Sequence, residues 1–267
     1  GAASMSVTGH AVNFAAVGSE EITRLLLDAG ANPRAASIRL RARSMTRAYG
    51  QRRHDARTGR QPDYVDSTRT YLNRTLVAPR PLPGIRQEVE GLRRQHGARR
   101  ALKSNAAIIT AGIITFGNEA AELFETLQPD QQDAAFRDLA EGIAGRLGTR
   151  LEALTVHLDE TTIHAHFELR AYSDTGVPVS KQATAAVMSG LQDLTAEIMA
   201  DHCPGIERGA RKRDRLAAGA DYAETLNRSV KELHRDLPAE IAAKTEALAE
   251  LERQAETLQT SVEKTRG

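Results

Sequence analysis

The sequence has no tryptophan, only 4% aromatic residues and a single cysteine, Cys203. One cysteine excludes an internal disulfide. A chain that does without disulfides fits a reducing compartment, so a cytoplasmic protein is expected. No apolar run approaches the roughly 20 residues that span a bilayer. No secretory leader is visible, and residues 1–4, ahead of Met5, read as the remnant of a cleaved purification tag. What remains of the 267 residues, 40% hydrophobic and 27% charged, suffices for one good-sized core with an appendage.

Acidic residues are scarce in one region. From Arg34 to Lys103 there are 18 Lys/Arg against 5 Asp/Glu, although the whole chain carries a formal net charge of only +1. Nearly all of these cations are arginine, whose planar fork donates two parallel hydrogen bonds to a phosphate. A merely solvated surface usually mixes the signs. A positive patch that meets a polyanion is therefore the preferred reading.

The chain divides by pattern. A helix capped by Ser19 and stopped by Gly30 and Pro33 is expected in an N-terminal segment, residues 1–36, that carries no visible chemistry. Residues 37–45, SIRLRARSM, alternate apolar and basic residues as a strand does. A basic stretch over 46–70 reads as loop and short helix. Helices are expected over 84–95, 118–127, 130–146 and 182–202. Residues 106–116, AAIITAGIITF, read as a buried central strand, and a hairpin spans 152–172. Strands and helices do not alternate regularly, which predicts an α+β domain on an antiparallel sheet, flanked by helices, over 37–222.

The tail, 223–267, differs. Leu237, Ile241, Lys244, Leu248, Leu251, Ala255, Leu258 and Val262 recur at spacings of four and three, a coiled-coil seam. Two helices joined near Asp236 to Pro238 are expected, with self-association through the seam or packing on the domain as alternatives.

Residues 157–166, HLDETTIHAH, hold three of the eight histidines. With four residues in the turn, Asp159 falls opposite His164 and His157 opposite His166. Directly opposed residues of an antiparallel pair share a face, with Cβ atoms about 4.5–5.5 Å apart. His157, His164 and His166 then converge as a metal site with open coordination positions, the arrangement of a catalytic rather than a structural ion. Asp159, Glu160 and Glu168 are candidates to orient the imidazoles.

This stretch closely resembles the HxDExTPHxH metal motif of the Mob/Pre plasmid mobilisation relaxases, within the histidine-hydrophobe-histidine (HUH) endonucleases. His164-Ala165-His166 matches the paired histidines and His157 the third ligand. His54 and Arg57 resemble the family's early H-x-x-R, with Leu72-Asn73 downstream. Lys181 and the 205–209 stretch GIERG also look familial, so the resemblance covers about Ser37 to Tyr222. Ile163 replaces the motif's proline, and Arg74 replaces the tyrosine after the asparagine.

The resemblance implies an HUH relaxase fold and a Mn²⁺ or Mg²⁺ ion on the three histidines. It implies nicking of one strand at a plasmid origin of transfer, with the protein left covalently on the 5′ phosphate. By the same resemblance His54 is the nucleophile, Arg57 steadies it or the phosphate, and Glu160 orients a ligand or handles protons. Tyr49, Tyr64 and Tyr71 stand as alternative nucleophiles. Asn73, Arg52, Arg53, Arg74 and Lys181 are the candidate contacts to single-stranded or hairpin DNA. The alternatives are an HUH replication initiator or transposase, a DNA-binding protein that recognises an origin hairpin without cutting, and a metal-dependent hydrolase of a small substrate.

Overall fold

The computed structural model describes residues 32–210 and 230–266. The expected helix at Ser19 lies outside the described residues. Six strands and their helices follow one another from Ala35. They are β1 (Ala35–Ser44), α1 (Met45–Asp55), β2 (Arg74–Val77), α2 (Leu82–Gln95), β3 (Ala107–Phe116), α3 (Asn118–Glu125), α4 (Pro129–Arg146), β4 (Leu151–His157), β5 (His164–Arg170), α5 (Val179–Gln182), α6 (Ala185–His202) and β6 (Glu207–Arg208). The tail helix α7 spans Val230–Arg266 and belongs to a separate unit of the chain. No described helix is long and apolar enough to cross a membrane.

The sheet order is β2-β4-β5-β3-β1-β6, antiparallel except for the parallel β1–β6 edge. The expected antiparallel α+β architecture holds. β1 starts two residues inside the segment assigned to the N-terminus.

Alternation builds two unequal faces. Ile38, Ile114, Phe116, Leu154, Val156, Ala165, Phe167 and Leu169 point to one side and are packed by Phe124, Phe136, Leu139, Ile143 and Leu191 of α3, α4 and α6. Phe116, Phe124 and Phe136 cluster there, with ring centroids 4.6 to 6.0 Å apart, Phe116 stacked on Phe124. The other face has a smaller apolar cluster, in which Ala48, Leu82, Ile85 and Val89 of α1 and α2 meet Ile108 and Ile109. The histidines share that second face.

Two expectations are corrected. The hairpin register is shifted: His157 lies opposite His164, and His166 opposite Thr155. Six residues form the connection, because contacts from distant chain end the ladder early. The Leu158 N–H donates to Asn73 Oδ1 at 2.7 Å, and the Asp159 carbonyl accepts from Asp66 N–H at 2.7 Å. The shift is by two residues, so the three histidines keep one face. In the tail, a single helix runs through Pro238 where two were expected. Proline costs about 3 kcal/mol in a helix interior, and the surrounding Leu, Ala, Glu and Lys favour the helix enough to carry it through.

A candidate metal centre with a fourth histidine

The sheet sets three imidazoles edge to edge. Ring centroids are 4.8 Å apart for His157 and His166, 5.1 Å for His164 and His166, and 5.3 Å for His157 and His164. α1 then delivers a fourth. His54, in its last turn, lies 5.5 Å from His166 and 5.9 Å from His157, ring to ring.

Tautomers follow from the partners. Arg57 only donates, so the 3.0 Å contact from its Nη2 makes His157 Nδ1 an acceptor. His157 Nε2 then carries the proton and donates to the Asp55 carbonyl at 2.9 Å. His164 Nδ1 donates to the Thr162 carbonyl at 2.9 Å, which leaves Nε2 with a lone pair 3.6 Å from Glu160 Oε2. An imidazole that donates one N–H to a carbonyl and offers the other nitrogen is oriented as a metal ligand. Burial pushes the His157 pKa down to about 3, with Arg57 adding to the effect and Asp159 opposing it, and burial with the neighbouring histidines and Arg57 pushes that of His166 well below the usual range. Both rings are neutral at physiological pH, the form that binds metal.

Potential donor atoms of His157, Glu160 and His164 all lie within 4.8 Å of one another, as do those of His54, His157 and His166. The residues fit a divalent cation with nitrogen and oxygen donors. The His157 lone pair is held by Arg57, so ligation through that nitrogen requires this hydrogen bond to be released.

Arg57 organises the centre. It directly follows Ala56, the α1 cap, and is the only non-glycine residue of positive φ among the described residues, at 55°. That position usually takes glycine, and the left-handed backbone costs an arginine roughly 1–2 kcal/mol. Its side chain grips Asp159 with two prongs and Glu160 at 2.6 Å, and its Nη1 lies 3.4 Å from His54 Nε2. Burial, with the Arg57 charge, lowers the His54 pKa. Burial opposes ionisation of Asp159, yet donors from Arg57 and Thr70 hold its carboxyl well below the usual range.

Asp55 went unnoticed in the sequence. Its carbonyl orients His157, and its Oδ1 lies 3.7 Å from His166 Nδ1. Burial pushes its carboxyl up to about 7. Position next to His54 was the one available signal. Glu168 is not at the centre: it is buried against Arg52 at 3.0 Å.

The sequence-derived DNA contacts divide. Arg52 is committed to Glu168 and the Arg80 carbonyl, Arg74 to Asp133 and Gln132, and Asn73 Oδ1 to Leu158. Arg53 and Lys181 are exposed. Among the tyrosines, Tyr49 and Tyr71 are 49% and 82% exposed and make no hydrogen-bond or ring contact with the histidines among the described residues. Tyr64 is half-buried within the electrostatic reach of Glu160 and Arg57, and burial raises its hydroxyl pKa.

The family model for Mob_Pre, plasmid recombination enzyme, matches residues 37–224. The chain belongs to the Mob_Pre family. Plasmid recombination enzyme type 3 of Staphylococcus aureus is 24% identical over 178 residues, 65% of this chain and 42% of that protein. The plasmid recombination enzyme of Lactiplantibacillus plantarum is 21% identical over 185 residues, 67% of this chain and 50% of that protein. This Mob_Pre chain thus spans about half the length of the curated relatives it matches. Its fold matches the Mn-bound MobM relaxase domain in complex with plasmid pMV158 oriT DNA, with a TM-score of 0.60 at 21% identity, over 75% of this chain and 98% of that one. A second Mn-bound MobM complex gives 0.59 over the same share of this chain.

Proposed function

We propose that this Mob_Pre chain is a relaxase domain that cuts one strand of plasmid DNA at an origin of transfer by transesterification. The observation that carries the reading is the His54 imidazole, kept neutral by burial and set 5.5 Å from His166 at the edge of the three-histidine cluster. Family membership and the oriT DNA in the MobM complexes support plasmid DNA as the substrate.

In this reading His157, His164 and His166 hold a divalent ion, Mn²⁺ or Mg²⁺, which when bound polarises the scissile phosphate. The lone-pair nitrogen of His54 attacks phosphorus. An N–P bond forms and the bond from phosphorus to the 3′ oxygen breaks. The 3′ oxygen takes up a proton, and the imidazole gives up its own. Glu160, beside His157 and His164, is the carboxylate within reach of that exchange. Arg57 holds His54 and adds positive charge where phosphate charge gathers. The phosphoramidate stores the cleaved bond, so the reverse attack rejoins the strand.

A denaturing gel tests the reading. The protein is mixed with Mn²⁺ and a labelled single strand bearing its origin. An adduct that survives SDS, is absent with EDTA, and is lost in both His54→Ala and His164→Ala is expected. An adduct that persists in His54→Ala moves the nucleophile, with Tyr64, within the electrostatic reach of Glu160 and Arg57, the first tyrosine to substitute. Tight binding with no adduct sinks the relaxase reading in favour of a non-cutting DNA-binding protein.

A further inference from the structure

The arginine excess separates into two sets. Arg52, Arg57, Arg74 and Arg80 each hold a carboxylate: Glu168, Asp159, Asp133 and Glu152 respectively. β1 is different. Its sequence, AASIRLRARS, carries arginine at three alternate positions and no acid.

Register assigns those arginines a face. Arg39 lies opposite Ile113, which lies opposite His166. Arg41 lies opposite Ala111, and Ala111 opposite Glu168. Arg43 lies opposite Ile109, and Ile109 opposite Arg170. Directly opposed residues share a face, so all three arginines stand on the histidine face. Two strand spacings, about 10 Å, separate Arg39 from His166 along one row.

Among the described residues this corner of the sheet is less covered than the opposite face. Ser37, Arg39, Ile113 and Thr115 are half-buried, whereas Ile38, Ile114 and Phe116 on the opposite face are buried. Arg41 is exposed. No carboxylate lies within 4.0 Å of Arg41 or Arg43 among the described residues. Arg43 Nε is buried without a hydrogen-bond partner. Burial and the like charges of Arg41 and Arg47 lower the Arg43 pKa, and burial and Arg41 do the same to Arg39. Among the described residues no carboxylate pairs directly with Arg41 or Arg43, and Asp55 acts on Arg43 only at longer range, so an external polyanion compensates these two.

We propose that Arg39, Arg41 and Arg43 form a phosphate track that leads a single DNA strand across the β1–β3 corner to the histidine centre. Alternate strand residues recur every 6.6–6.8 Å or so. That repeat lets each guanidinium take its own phosphate of an extended strand, with Ile113 as an apolar floor beside them. The destination of the strand rests on the relaxase reading; the contact itself is a binding property and is measured without cutting.

Fluorescence anisotropy in EDTA, with a labelled single-stranded oligonucleotide at several salt concentrations, tests the track. Arg41→Ala is expected to weaken binding several-fold and to flatten the slope of log K against log salt by about 0.7, the share of one single-strand phosphate. Arg41→Lys is expected to recover the slope, and adding Arg43→Gln to deepen the loss. Thermal unfolding of each variant checks the fold, and the exposed Arg41 keeps the test open should Arg43→Gln not fold. Wild-type affinity and slope in Arg41→Ala and in the double variant overturn the track, even where the wild type forms its adduct with Mn²⁺. Wild-type binding with no adduct, and a flattened slope in the variants, sinks the relaxase reading and keeps the track. Wild-type protein that binds no single strand overturns both.

Discussion

Arg57 and Asp159 form a two-pronged ion pair, Nε to Oδ2 at 2.9 Å and Nη2 to Oδ1 at 2.8 Å, across 102 positions of sequence. Both side chains are buried, 4% and 0% exposed. The pair fixes the end of α1 to the hairpin connection and so sets His54 against the other histidines.

Removing one partner leaves a buried charge without compensation, which costs about 3–5 kcal/mol. Arg57→Ala is therefore expected to lower the urea midpoint strongly in EDTA, where metal binding does not contribute. Arg57→Lys keeps one charge but cannot make both prongs, and should recover part of the loss. Equal midpoints for wild type and Arg57→Ala would remove the structural role assigned to this pair.

The buried histidines make the metal-free protein acid-sensitive. His157 has a folded pKa near 3 and an unfolded one near 6.5. Between these values the unfolded chain binds a proton that the folded chain does not. Its contribution to stability therefore falls as pH falls, by up to about 1.4 kcal/mol per pH unit. His166 acts in the same direction. Asp55 acts in the opposite one: raised to about 7, it takes up its proton in the folded state first and favours folding as pH drops from 7 toward 4. Asp55→Asn is expected to steepen the acid loss between pH 7 and 4, and His157→Gln to flatten it. Urea midpoints across that range in EDTA check both signs.

The ring of Phe167 on β5 lies over Gly112, its partner on β3. A Cβ there would lie 2.1 Å from Phe167 Cζ. Phe167 is 1% exposed within the larger apolar cluster, so it has little room to withdraw. Gly112→Ala is expected to cost about 1–3 kcal/mol by overpacking. Phe167→Leu in the same chain should return part of it, and additive losses in a double-mutant cycle would show that the ring is not the obstacle.

What was legible in the sequence was local. The apolar run over 106–116 and the alternation after Ile163 marked two strands, and the helices expected over 84–95, 118–127, 130–146 and 182–202 lie within a few residues of α2, α3, α4 and α6. The three histidines were found because ten adjacent residues carry them. What failed was decided at a distance. β2, four residues long, has too little pattern to stand out and exists by pairing with β4. The hairpin register depends on Asn73 and Asp66, more than 80 positions away. The arginine-rich segment looked uniformly available to a polyanion, because the carboxylates that occupy Arg52, Arg57, Arg74 and Arg80 come from residues 133–168.

The tail helix presents an apolar stripe that nothing in its own unit covers among the described residues. Leu248, Leu251, Leu258 and Val262 are 62%, 60%, 67% and 52% exposed, at heptad-like spacing. Burying a leucine side chain contributes about 1.5–3 kcal/mol, and a second copy of the same helix offers a matching seam. Sedimentation of the whole chain is expected to show a concentration-dependent dimer. Leu251→Lys with Leu258→Lys places two charges in the seam and is expected to leave a monomer whose folded domain melts as before. A wild type that stays monomeric at high concentration would assign the stripe to another partner, since an exposed row of leucines on a long helix gains nothing from water.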